Sequence, residues 1–238
     1  MVRVLVTRPE PGASRTARRL QDMGFQPILL PLTDTMALPV EAGAVAKNAV
    51  AVAITSANAV RHAPKEIIAA LAALPCHAVG KRTAEAARAA GFLAVSEGAG
   101  NAEALADAIA GDFSGRTIVY LSGRVRFPAF EARLQAEGVL VRAVETYDTV
   151  TLDYSDDAIV ERLSGQPVEA ALLYSAKAAA ALQTLTRRSA LRDLFEKTLV
   201  FVLSARIAAA LDEFAGEKIR IATEPHEDAL LELLRIWR

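Results

Sequence analysis

Short apolar runs recur along the chain, at residues 2–6, 27–30, 50–54, 76–79, 117–121, 139–144, 170–173, 198–203 and 219–222. None alternates cleanly between apolar and polar positions. Each therefore predicts a strand covered on both faces, as in a parallel sheet. Between most of them lie segments rich in Ala, Arg, Glu and Leu with helical spacing. Ala17 and Leu20 mark an apolar stripe on residues 13–23, which Gly24 ends; Gly91 ends 84–90 and Gly138 ends 130–136 in the same way. This alternation of strand and helix predicts an α/β protein with parallel sheets.

The pattern also repeats. Val4-Leu5-Val6 aligns with Ile118-Val119-Tyr120, and at the same offset Leu20 meets Leu134, Gly24 meets Gly138 and Thr35 meets Thr149 without a gap. Further along, Ile54-Thr55-Ser56-Ala57 faces Leu173-Tyr174-Ser175-Ala176, Val79-Gly80-Lys81-Arg82 faces Leu203-Ser204-Ala205-Arg206, and Ala104-Leu105 faces Ala229-Leu230. Any two α/β units share a general pattern, but an ungapped βαβ match followed by others in order favours duplication. Two similar domains of about 110–120 residues follow. Residues 32–48 and 145–154 break the helix–strand rhythm and are candidate linkers. Two linkers mean that one domain is discontinuous in sequence.

Composition narrows the class. The 238 residues are 53% hydrophobic and 23% charged, which excludes a disordered chain. The 27 basic and 28 acidic residues leave a net charge of -1, unlike a general nucleic-acid or membrane-surface binder. One cysteine, Cys76, provides no disulfide framework, and the three histidines have no metal-ligand spacing. The opening apolar stretch is too short for a signal peptide, and no run reaches a membrane span. A soluble cytoplasmic protein is expected.

In parallel α/β sheets, ligands bind in the loops at the carboxyl ends of the strands. Those loops hold Arg8 and Pro9; Thr55, Ser56, Ala57 and Asn58; Gly80, Lys81 and Thr83; Ser122, Gly123 and Arg124; Ser175, Ala176 and Lys177; and Ser204, Ala205 and Arg206. Free N–H groups at a helix start, with a cation close by, suit an anion. Taken singly, each loop reads as an ordinary N-cap beside a solvated cation. Taken together, recurring in both repeats, they favour an anionic ligand.

Other signatures fail. Gly98-Ala99-Gly100 starts like a dinucleotide fingerprint, but Glu103 replaces its third glycine; it reads as a turn and N-cap. Gly80-Lys81-Arg82-Thr83 resembles the end of a phosphate-binding loop, but Pro75 stands where its first glycine belongs. Cys76 and His77 lie in an apolar strand and read as core. The run Asp153–Asp157 reads as a solvated linker face, and Trp237 as packing for the last helix. Tyr147, where a strand enters the second linker, reads equally as a packing aromatic or as a functional phenol.

At these residues the chain resembles the uroporphyrinogen-III synthase family. The resemblance rests on Val4-Leu5-Val6-Thr7-Arg8-Pro9, Thr55-Ser56-Ala57-Asn58-Ala59-Val60, Ala78-Val79-Gly80-Lys81-Arg82-Thr83-Ala84, Glu145-Thr146-Tyr147 and Ala222-Thr223-Glu224-Pro225, in this order over nearly the whole length. It implies two similar flavodoxin-like parallel-sheet domains joined by a two-stranded linker, with a cleft between them. Residues 1–33 and 151–238 would form the discontinuous domain and 38–146 the inserted one, with linkers near 34–48 and 145–154. It implies cyclisation of hydroxymethylbilane to uroporphyrinogen III, with loss of water and inversion of the last pyrrole ring. No cofactor or metal is implied. Tyr147 matches the tyrosine usually proposed as the acid, and a monomer in transient contact with the preceding pathway enzyme is suggested. One departure is Ile207, which stands where the first repeat has Thr83. Two other classes share this α/β pattern: a two-domain binding protein for a small anion without catalysis, and a nucleotide-sugar transferase. The first would normally carry a DNA-binding or secretion segment, the second a Gly-rich phosphate loop.

Overall fold

The computed structural model describes residues 1–126, 128–212, 214 and 216–237. The chain opens with β1 (Arg3–Val6), α1 (Gly12–Asp22), β2 (Gln26–Leu29) and β3 (Thr33–Ala37). There follow β4 (Ala49–Ile54), α2 (Ala57–Arg61), α3 (Lys65–Leu71), β5 (Cys76–Ala78), α4 (Lys81–Ala90), β6 (Val95–Glu97) and α5 (Ala102–Ile109). The next βαβ unit is β7 (Thr117–Gly123), α6 (Pro128–Ala136) and β8 (Leu140–Thr151). The last third holds α7 (Asp156–Leu163), β9 (Ala170–Leu173), α8 (Ala176–Thr186), α9 (Arg192–Phe195), β10 (Leu199–Val202), α10 (Ala205–Ala208), β11 (Ile219–Ile221) and α11 (Glu227–Trp237).

The chain divides into two compact units, residues 1–34 with 150–238, and residues 35–149. The first unit carries a five-stranded sheet in the order β2-β1-β9-β10-β11. The second carries β3-β8-β7-β4-β5-β6. The repeat pairs β1 with β7, β2 with β8, β9 with β4, β10 with β5 and β11 with β6. Under that pairing the two sheets have the same order, the flavodoxin-like 2-1-3-4-5, with β3 added at one edge of the second. All pairs within the two five-stranded sets are parallel.

Burial explains the unbroken apolar runs. Along β1, Leu5 joins a core with Ala171, Leu173, Val200 and Val202, while Val4 and Val6 join another with Leu172, Phe201 and Leu230. In the second unit Val52, Ile54, Val119 and Leu121 face one core, and Ala51, Ala53, Ile118 and Tyr120 the other. Alternate residues thus point to opposite, equally dry faces, each large side chain contributing about 1.5–3 kcal/mol on burial. Trp237 packs edge-on to Phe201 at 5.7 Å. Gly24, Gly91 and Gly138 take φ of 78°, 110° and 79° just past α1, α4 and α6, a conformation that favours glycine.

The structure refines the sequence reading in three places. Residues 33–37 form the strand β3, and β8 continues through 145–151, so each expected linker carries a strand, as the family resemblance implies and the apolar runs alone do not show. Their polar residues hid them, since neither shows an apolar run. The short strand β6 has the same cause: its residues are exposed or half-buried. The Asp153–Asp157 run, which reads as a solvated linker face, continues into the first turn of α7. Ser155 caps that helix, and Asp153 and Asp156 both pair with Arg188. Among the described residues no helix is long and apolar enough to cross a membrane.

Candidate active site

In a 2-1-3-4-5 sheet the strand order reverses between the first and third strands, and the helices that follow them leave on opposite faces. A crevice opens there, at the carboxyl ends. In the second unit it lies between β7 and β4, and in the first between β1 and β9.

In the second unit, β4 runs out into Thr55 and Ser56, and β7 into Ser122 and Gly123. Ser56 is the N-cap of α2; its Oγ accepts from the Asn58 N–H at 3.2 Å. The Tyr147 hydroxyl donates to the same Oγ at 3.1 Å. Tyr147 comes from β8, paired opposite Gly123 across an irregularity between Ser122 and Gly123. Its carbonyl accepts from the Arg124 N–H at 2.8 Å. Gly123 has a steric reason: a Cβ there would lie 2.7 Å from Tyr147 Cζ. The His62 ring stacks on the phenol, with centroids 5.9 Å apart, and its Nε2 is 2.9 Å from Thr35 Oγ1.

The neighbours complete this crevice. Thr55 Oγ1 lies 2.7 Å from the buried Tyr120 hydroxyl, whose pKa is pushed up chiefly by burial. The buried Ser122 hydroxyl finds no hydrogen-bond partner among the described residues. The exposed Arg124 guanidinium pairs with Asp148 at 3.3 Å and Glu145 at 3.6 Å.

The first unit fills the corresponding crevice differently. The Arg8 guanidinium lies 4.3 Å over the Tyr174 ring and 3.1 Å from Glu227, at the start of α11. Gly12 leaves room for it, since a Cβ there would come within 2.4 Å of Arg8 Nε. Glu227 also accepts from Thr16 and from the Tyr174 hydroxyl, and pairs with Arg19 at 3.3 Å. Burial works against the Glu227 carboxylate, but the Thr16 hydrogen bond, the two guanidiniums and the Tyr174 hydroxyl hold its pKa below the usual range. Tyr174 is pushed up to about 12, mainly by burial. Arg8, read from sequence as a loop cation, thus already carries a carboxylate partner.

The remaining candidates are placed as follows. Ser175 caps α8 through the Ala178 N–H at 3.1 Å, as Ser56 does α2. Ala57, Ala176 and Ala205 are the first residues of α2, α8 and α10. Gly80 and Ser204 stand at the N-caps of α4 and α10 without a side-chain cap bond. Lys81 and Arg206 are exposed, Lys177 and Pro9 half-buried. Asn58 accepts from Arg61 at 3.0 Å. Thr83 and its counterpart Ile207 are both buried, so this position packs the helix in each repeat. Gly98 and Gly100 donate to the carbonyls of Ala78 and Val79, and Asn101 caps α5: a structural turn. Cys76 is buried, which pushes its thiol up to about 12. No group of three or more His, Cys, Asp or Glu among the described residues could hold a metal. His62 was missed from sequence, because its partner Thr35 sits on the polar strand β3.

A duplicated 2-1-3-4-5 sheet with a phenol set in one switch-point crevice defines a two-domain, flavodoxin-like α/β protein. The family described as Uroporphyrinogen-III synthase HemD matches residues 14–232. The chain belongs to the uroporphyrinogen-III synthase family. Its function is that of the family: closure of hydroxymethylbilane to uroporphyrinogen III, with the last pyrrole ring inverted. Among solved structures it is similar to the uroporphyrinogen-III synthetase of Helicobacter pylori, with TM-score 0.69 and 17% identity over 100% of both chains. It is also similar to a mutant uroporphyrinogen III synthase of the extremely thermophilic bacterium Thermus thermophilus, with TM-score 0.57 and 18% identity over 100% of this chain and 97% of that one. At these identities the likeness shows the fold. No curated protein matches the sequence.

Proposed function

We propose that the chain acts as a hydro-lyase in which Tyr147 is the acid. The phenol passes its proton to the terminal hydroxyl of hydroxymethylbilane as the C–O bond breaks and water leaves. The bilane is left as an azafulvene cation. The substituted carbon of the last ring attacks it to give a spiro intermediate, which fragments and recloses with that ring inverted. The proton released on rearomatisation restores the phenol. The supporting observation is the Tyr147 hydroxyl fixed 3.1 Å from Ser56 Oγ at the carboxyl ends of β4 and β7.

Such an acid contributes about 10²–10⁴-fold. The larger share falls to holding a flexible chain so that inverted closure outruns direct closure. Ser56 Oγ accepts two hydrogen bonds, from Asn58 and Tyr147, and keeps its own hydrogen to donate. We assign the substrate carboxylates to the strand-end loops of each unit: Thr55–Asn58, Gly80–Lys81 and Gly123–Arg124 in the second, Pro9, Ser175–Lys177 and Ser204–Arg206 in the first. Arg8 takes part only by exchanging Glu227 for a substrate carboxylate. The same reading makes the protein a cytoplasmic monomer that receives its substrate by transient contact with the preceding enzyme.

The test is incubation with enzymatically made hydroxymethylbilane, oxidation of the product and separation of its isomers. The expected product is type III, formed faster than spontaneous closure. Type I product at the spontaneous rate would leave only a binding protein.

A further inference from the structure

We propose that His62 is a positioning residue for Tyr147; this rests on the reading of Tyr147 as the acid. A phenol donates well only while its ring is held in one orientation, because the O–H direction follows the ring. Three contacts set that orientation. Ser56 Oγ receives the hydroxyl at 3.1 Å. The backbone at Gly123 lies so close that a Cβ would be 3.0 Å from the phenolic oxygen. The His62 imidazole stacks on the ring at 5.9 Å, with the planes 29° apart.

Of the three, the stack is the one held from outside the crevice loops. His62 is the C-cap of the five-residue helix α2, whose N-cap is Ser56. Its Nε2 lies 2.9 Å from Thr35 Oγ1 on β3, which stops the imidazole from turning away. Both ends of one short helix therefore grip the same phenol, Ser56 at its hydroxyl and His62 at its face. Aromatic pairs of this kind shift a conformational population by about 2–10-fold, and small displacements of a reacting group reduce the rate further.

The experiment is a double-mutant cycle on the full chain: wild type, His62→Ala, Tyr147→Phe and the double variant, assayed for type III formation with kcat and KM separated. His62→Ala is expected to lower kcat about 10-fold with KM within about 2-fold of wild type. It is expected to add nothing on the Tyr147→Phe background, where the hydroxyl it aims is already gone. His62→Phe, which keeps the stack, should restore most of the rate. Thr35→Val, which removes only the imidazole's anchor, should give a smaller loss in kcat, and it decides the matter should His62→Ala fail to fold. Wild-type kcat in His62→Ala and Thr35→Val beside a slow Tyr147→Phe would overturn the proposal. So would an equal loss from His62→Ala on both backgrounds. Wild-type turnover by Tyr147→Phe would remove Tyr147 as the acid and this role of His62 with it.

Discussion

The Tyr147 ring occupies the space a side chain at position 123 would need: a Cβ on Gly123 would sit 2.7 Å from Cζ and 3.0 Å from Cε1. The parallel register sets the two residues opposite each other. Gly123→Ala should therefore push the phenol off Ser56 while leaving the sheet intact. We expect kcat to fall at least about 10-fold, with an unchanged circular dichroism spectrum. Full activity in the alanine variant would show that the ring's place does not matter.

Ser56 and Ser175 cap equivalent helices, but only Ser56 touches the phenol. Replacing either by Ala should cost about 1 kcal/mol of stability through the lost cap. Beyond that, Ser56→Ala should lower kcat and Ser175→Ala should raise KM. Chemical denaturation and steady-state kinetics on the same preparations separate the two effects. Equal kinetics in both variants would remove the special role of Ser56.

The Glu227 cluster predicts an acid-sensitive first unit. Its carboxyl is held below the ordinary value of 4.5, so it binds its proton less readily folded than unfolded. The stabilisation is complete above about pH 4.5 and fades as pH falls through the lowered folded value. Glu227→Gln should be less stable than wild type at neutral pH, and the gap should narrow in acid. Denaturant titrations at pH 7 and below pH 4 check this; a gap that widens in acid would reverse the sign.

Ser122 buries a hydroxyl that has no partner among the described residues. An unpaired buried polar group costs about 1–3 kcal/mol. Ser122→Ala should thus stabilise the protein, by about 1 kcal/mol in urea titration. A clear loss of stability would mean that the hydroxyl is satisfied in solution.

The apolar runs led to strands because both faces of each sheet are dry, so burial and strand formation coincide in the same residues. The duplication was readable because each unit repeats the same pattern: the runs at 2–6 and 117–121 became β1 and β7, with the same sheet neighbours. The edge strands of the second sheet, β3 and β6, were not readable, whereas those of the first, β2 and β11, were. In β3, Asp34, Met36 and Ala37 face outward, and nothing in their spacing says strand. His62 was hidden for the same reason, since its anchor is on β3. Arg8 was legible as a cation at a strand end, but its partner Glu227 lies 219 residues away. Pairing at that distance depends on the fold. Tyr147 reads from sequence as either a packing aromatic or a functional phenol; the ring packs on the second unit's core and the hydroxyl reaches Ser56, and the chemistry is what we propose for it.

The decisive measurement is the turnover of Tyr147→Phe on hydroxymethylbilane, with the product isomers separated. The ring and its packing stay, and only the phenolic O–H is lost. We predict type III formation slowed by up to about 10²–10⁴-fold, with type III still the main enzymatic product, because the positioning loops are untouched. Wild-type turnover by the Phe variant would contradict an acid role for Tyr147. Slow turnover with a switch to type I would also contradict it, by showing that the phenol places the ring rather than supplies the proton.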